Sequence, residues 1–163
     1  MMGNRRECFE IFQACAHLGV TYVPVNWHWV PDELAYVLED ADVKVLLVGT
    51  RFTDVATEAL SDSRSQNVHL SLVVGGKHET LTDYEEFLLS SPTDDLPDDQ
   101  QLLGGPMFYT SGTTGRPKGV RGSLSGGGTI PTEVMQLIGG SMASYVPANG
   151  KSLLVGPVYH SAQ

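Results

Sequence analysis

Apolar, β-branched runs alternate with stretches of helical periodicity along this chain, and that alternation limits the possible folds more than any other feature. Cys8, Ile11, Phe12, Cys15 and Leu18 recur at helical spacing from Arg5 to Leu18, and Gly19 suits the left-handed residue that ends such a helix. Val20 to Val25 then reads as a strand closed by Pro24 and Asn26. Pro31 opens a second helix with the stripe Leu34, Val37 and Leu38, which Asp40 to Asp42 terminate. Val43 to Val48 reads as a second strand with a continuous apolar end, as expected of a buried strand. A weaker helix follows from Phe52 to Leu60, then a strand from Leu70 to Val74 that stops at Gly75-Gly76, then a short helix from Asp83 to Leu89 capped by Thr82.

The acidic stretch from Glu79 to Gln101 ends in a solvated loop from Ser90 to Asp99, and reads as a solubilising linker. Beyond it come a short strand, Pro106 to Tyr109, a glycine-rich loop, a helix from Thr132 to Ser144 and a last strand from Ser152 to Val155. Strands and helices alternating at this spacing predict an α/β fold, a mostly parallel, doubly wound sheet with flanking helices.

Composition narrows the function classes. With 41% hydrophobic and 18% charged residues, the 163-residue chain has the make-up of a globular domain. The net charge of −9 and the scattered Lys and Arg leave no basic footprint for nucleic acid. No run reaches the roughly 20 apolar residues of a transmembrane segment, and the polar start lacks a signal-peptide core, so a cytoplasmic protein is expected. Cys8 and Cys15, on one helix, would stand about 10 Å apart, too far for a disulfide, so both are expected as reduced core thiols. No His cluster completes a metal site.

The segment Tyr109-Thr110-Ser111-Gly112-Thr113-Thr114-Gly115-Arg116-Pro117-Lys118-Gly119-Val120 carries the chemistry. Its three glycines let backbone N–H groups turn inward around an anion. The hydroxyls of Thr110, Ser111, Thr113 and Thr114 add donors or ligate a phosphate-bound Mg²⁺, and Lys118 supplies a point charge. It is not a Walker-type loop, because the fifth residue after Gly112 is Pro117 and Lys118 precedes Gly119.

This string resembles the phosphate-binding signature of the adenylate-forming superfamily, position by position. Ala14 to Val48 is similar to an earlier segment of that family, and Val23-Pro24-Val25-Asn26 with Pro31-Asp32-Glu33-Leu34 resembles its acyl-CoA synthetase branch. Gly156-Pro157-Val158-Tyr159-His160-Ser161-Ala162 is similar to that branch's Pro-x-x-His-x-Ala segment.

The resemblance implies ATP-dependent activation of a carboxylic acid, of the fatty class, to an acyl-adenylate, and transfer of the acyl group to coenzyme A. It implies that Thr110, Ser111, Gly112, Thr113, Thr114, Gly115 and Lys118 bind the ATP phosphates with Mg²⁺, that Lys118 and His160 are catalytic, and that His160 lies by the acyl pocket. The expected partner is a small-molecule carboxylic acid, with self-association through exposed sheet edges.

Residues 1–163 resemble only a part of the adenylation domain. The strand before the first helix, the adenine- and ribose-binding segments, the hinge and the C-terminal domain with its catalytic lysine have no counterpart here. The chain departs from the pattern at Val30, where a hydroxyl cap is usual, and at Arg121-Gly122-Ser123, where a Thr-His pair is usual. A second expectation is therefore a truncated, non-catalytic chain that at most binds ATP phosphates or pyrophosphate.

Overall fold

The computed structural model describes residues 1–94, 104–110, 115–121, 132–145, 149–151 and 153–160. Five helices and six strands follow one another among these residues: α1 (Arg6–His17), β1 (Thr21–Tyr22), α2 (Pro31–Asp40), β2 (Val45–Gly49), α3 (Thr53–Ser61), β3 (Leu70–Val74), β4 (Thr82–Asp83), α4 (Tyr84–Ser90), β5 (Gly105–Thr110), β6 (Lys118–Arg121) and α5 (Thr132–Ala143). Three pairings are parallel (β1 with β5, β2 with β3, β3 with β4), and β5 with β6 is antiparallel. They form two three-stranded sheets, ordered β1-β5-β6 and β2-β3-β4.

Strand alternation explains why helices cover both faces of the β2-β3-β4 sheet. Leu46, Val48 and Val73 pack with Leu34 and Leu38 of α2 and Ala56 and Ala59 of α3. Leu72 and Val74 point the other way, into a cluster with Cys8 of α1 and Tyr84 of α4. This is the doubly wound arrangement that the periodicity predicts.

Helix ends follow local chemistry. Gly19 takes φ +69, and Val20 N–H bonds the Cys15 carbonyl at 2.9 Å, closing a Schellman turn after α1. The Ala16 carbonyl is satisfied from far along the chain, by Gly104 N–H at 2.8 Å. Val30 has no side-chain oxygen, yet Glu33 reaches back to accept its N–H at 3.0 Å, so α2 keeps half a capping box.

Three expectations need correction. The cap of α4 is Asp83, whose carboxylate accepts Glu86 N–H at 2.8 Å; Thr82 instead belongs to β4, opposite Leu72. Val20 to Val25 contains only the two-residue strand β1, because buried Pro24 lacks a ladder donor. Leu153 to Val155 is not a strand, and Leu153 and Val155 are each 83% exposed.

Met1 lies beside β2 as a parallel-paired residue would. Its amino group donates to Leu47 O at 2.7 Å, and its carbonyl accepts Gly49 N–H at 2.9 Å, placing it opposite Val48. A cavity of about 740 Å³ adjoins it, lined on several sides by Phe12, Cys15, Tyr22, Leu38, Leu46 and Met107. Cys8 is buried and Cys15 half-buried, both are free thiols, and burial pushes both thiol pKa values up. No helix among the described residues is long and apolar enough to cross a membrane.

Candidate functional site

Two strands bring the ends of the glycine-rich loop together. The chain leaves β5 at Thr110 and re-enters β6 at Lys118, and these two residues are opposite each other in the antiparallel register. Across such a pair the Cα atoms lie about 5 Å apart. Residues 111–117 are therefore the connection of a β-hairpin. Strand β6 itself carries no clear sequence signal, since Lys118-Gly119-Val120-Arg121 is short and half polar.

Of the expected phosphate-binding residues, Thr110 and Lys118 are exposed at the hairpin mouth. Gly115 takes φ +95, a conformation L side chains resist, and no atom of the described residues lies within 4 Å of where its Cβ would be. Backbone of this hand suits a nest of N–H donors around an anion. Ser111, Gly112, Thr113 and Thr114 lie outside the described residues. No group of three His, Cys, Asp or Glu able to hold a metal occurs among the described residues, so no Mg²⁺ ligand is named here.

Helix α2 holds both arms of the hairpin. On the incoming arm, the Tyr109 hydroxyl donates to Asp40 Oδ2 at 2.5 Å, while Trp29 stands edge-on to the Tyr109 ring at 6.2 Å. Burial, then the bond to Asp40 and that carboxylate's charge, push the Tyr109 phenol well above its usual range. On the outgoing arm, the Tyr36 hydroxyl donates to Pro117 O at 3.2 Å, and the Arg116 guanidinium lies 5.0 Å from the centre of the Tyr36 ring. A Cβ on Gly119, beside Lys118, would come within 2.0 Å of Met107 Cε and 3.1 Å of Tyr109 Cζ, so the flexible end of Met107 would have to move aside.

His160 belongs to a different cluster. It is exposed, and its N–H closes a turn onto Pro157 O at 3.0 Å. Asn4 brackets that turn: its Nδ2 donates to Gly156 O at 2.9 Å, and its Oδ1 accepts Val158 N–H at 3.0 Å. Tyr159 meets Trp27 edge-on at 6.2 Å. A cavity of about 280 Å³ opens here, lined in part by Asn4, Trp27, Arg51, Phe52 and Pro157. None of the described loop residues lines it.

Sequence reasoning missed Tyr36, Asp40 and Trp29. Asp40 reads there as a helix terminator, and its partner Tyr109 is 69 residues away. The one available signal is the i, i+4 spacing of Tyr36 and Asp40, which puts them on one side of α2 beside the apolar stripe.

Known proteins are similar to this chain in sequence and in fold. A family model described as AMP-binding enzyme matches residues 1–162. The indoleacetate–CoA ligase of Aromatoleum aromaticum is 35% identical over 124 residues, 71% of this chain and 22% of its own length. The medium-chain acyl-CoA ligase Mig of Mycobacterium avium is 34% identical over 125 residues, 72% of this chain and 22% of its own length. Among solved structures, the anthranilate CoA ligase AuaEII in complex with anthranoyl-AMP aligns with a TM-score of 0.66 at 24% identity, over 77% of this chain and 24% of that one, a likeness of fold. The chain spans no more than 30% of the length of these curated relatives. A hairpin with a glycine-rich connection, set against a doubly wound sheet and matched by the family model over nearly its whole length, places this chain in the AMP-binding enzyme family.

Proposed function

We propose that the chain is part of the adenylating domain of an acid–thiol ligase, the part that grips the pyrophosphate end of ATP. The observation that carries this reading is the register of Thr110 with Lys118, which sets the lysine at the mouth of a connection containing a positive-φ glycine. In the reaction, a carboxylate oxygen attacks the α-phosphorus of ATP, the bond to the β-phosphate bridging oxygen breaks, and pyrophosphate leaves. The thiol of coenzyme A then attacks the acyl carbon and AMP departs.

The loop's task is to neutralise charge on the leaving pyrophosphate. Backbone donors of Ser111 to Gly115, the hydroxyls of Thr110, Ser111, Thr113 and Thr114, and the Lys118 ammonium would do this, and the same hydroxyls would hold a Mg²⁺ that adds positive charge when bound. His160, beside the Asn4-bracketed turn, is assigned to the acyl side of the site. A small carboxylic acid of the fatty class is the proposed substrate, and the relatives named for medium-chain acyl and indoleacetate activation support that chemistry. The cytoplasm is the compartment proposed for it.

ATP–pyrophosphate exchange with a panel of carboxylic acids tests the reading, run on this chain and on any longer reading frame around it. Exchange that depends on acid in the longer protein is the expected result. Lys118→Ala should weaken pyrophosphate binding by about tenfold or more, the scale of a lost charged hydrogen bond. Unchanged binding would remove the loop assignment.

A second reading is favoured by the share of the relatives covered, at most 30% of their length. In it the 163 residues bind ATP phosphates or pyrophosphate without catalysis, and exchange by this chain alone would exclude that. The outer edge of β1, which pairs with no strand among the described residues, also supports self-association, which sedimentation would detect as a concentration-dependent mass.

A further inference from the structure

Three contacts tie the two arms of the hairpin to one side of α2, and Trp29, just ahead of that helix, adds a fourth. Tyr36 and Asp40 lie one turn apart on α2, clear of the fully buried Leu34, Val37 and Leu38 that fasten the helix to the core. Asp40 takes the incoming arm through the Tyr109 hydroxyl, which Trp29 backs edge-on. Tyr36 takes the outgoing arm twice, through the Pro117 carbonyl and through the Arg116 guanidinium over its ring. The held points are Tyr109, just before the connection, and Arg116-Pro117, the last two residues of it, and Thr110 and Lys118 are their immediate neighbours.

We propose that Tyr36 and Asp40 are positioning residues, a latch from α2 that holds Thr110, Gly115 and Lys118 where an inorganic phosphate chain can be gripped. The inference rests on the phosphate-loop reading above. The physical reason is conformational entropy. A connection rich in glycine, serine and threonine has many backbone states, and an anion that must order it binds more weakly than one that meets it already ordered. The pairing of β5 with β6 sets the loop's ends, and β1 holds β5 only at Gly105 and Pro106, so that ladder does not support the far end of the hairpin. Contacts on both arms from a helix that is itself seated in the core supply that support. Neither Tyr36 nor Asp40 is assigned any contact with the phosphates. Asp40 in particular is an anion, and it acts through the Tyr109 hydroxyl.

The test uses the 163-residue chain with pyrophosphate as ligand, measured by titration calorimetry, and trypsin as a probe of the hairpin. The variants are Asp40→Ala, Tyr36→Phe, Tyr36→Leu, Tyr109→Phe and the pair Asp40→Ala with Tyr109→Phe. Asp40→Ala and Tyr36→Phe should each weaken pyrophosphate binding about five- to tenfold, the effect of one lost hydrogen bond. Tyr36→Leu, which also removes the ring beneath Arg116, should weaken it further. The effects of Asp40→Ala and Tyr109→Phe should coincide and fail to add, because they break the same bond. A general loss of structure would not produce that pattern. Trypsin should cut after Lys118 several-fold faster in the latch variants, while the cut after Lys77 in the β3–β4 connection stays unchanged.

Each contrary outcome is decisive. An unchanged cut at Lys118 overturns the latch, whatever happens to binding. Faster cutting with undiminished pyrophosphate affinity overturns the positioning role. If the wild-type chain does not bind pyrophosphate, or Lys118→Ala binds it equally well, the phosphate-loop reading fails and the positioning role falls with it, while the trypsin result still shows whether α2 holds the hairpin.

Discussion

At the scale of single residues, the most exacting positions are where distant backbone meets. A Cβ on Gly104 would lie 2.1 Å from Cys15 O and 2.3 Å from Val20 O, both main-chain atoms that cannot rotate away. Gly104→Ala should therefore cost about 2–3 kcal/mol, read as a lowered urea midpoint with an unchanged m-value. Glu7 offers a second test. Hydrogen bonds from Arg5 at 2.7 and 3.1 Å lead the causes that hold its pKa at about 2, against an ordinary 4.5. A depressed carboxylate pKa adds stability that is complete above 4.5 and disappears as pH falls toward 2. Acid titration of the unfolding midpoint should show that loss, and Glu7→Gln should flatten it. Neither effect is legible in the sequence. Gly104-Gly105 looks like any linker glycine pair, and Arg5 and Glu7 look like helix-start charges until the fold buries one of them.

At the scale of elements, burial separates apolar residues that look alike in one dimension. Leu34 of α2 is fully buried, whereas Leu89 of α4 is 87% exposed. Leu34→Ala should destabilise the chain by about 3 kcal/mol and Leu89→Ala by less than about 0.5, compared by chemical unfolding. Helix positions were readable because their apolar spacing and end residues are local: Pro31 begins α2, and Gly19 follows α1 with a left-handed backbone. Strands β4 and β6 were not. Two or four residues carry too little periodicity, and both owe their conformation to a neighbour, β3 in one case and β5 in the other.

At the scale of the whole molecule, the two sheets meet around the cavity beside Met1, and the first amino group is buried there. Burial lowers its pKa from 8.0 to about 5, and the influence of Cys8 opposes this only in part. Between those values the unfolded chain binds a proton that the folded chain does not, so stability should rise with pH from 5 to 8 and level off above. The full span corresponds to about 4 kcal/mol. Thermal unfolding of this chain and of its N-terminally acetylated form measures the contribution, since acetylation removes the titrating amine and should remove that part of the slope.

The alternation of helices with strands, short β4 and β6 excepted, and the doubly wound class were legible in the amino-acid sequence alone. Each depends on patterns within a dozen residues, where backbone geometry couples neighbours directly. Tertiary structure alone decided that Lys118 returns opposite Thr110, that Asp40 and Tyr36 meet the two arms of the loop, and that His160 sits on a turn bracketed by Asn4. Those contacts join residues up to 154 positions apart, and local spacing holds no information about which distant side chain will fill a given space.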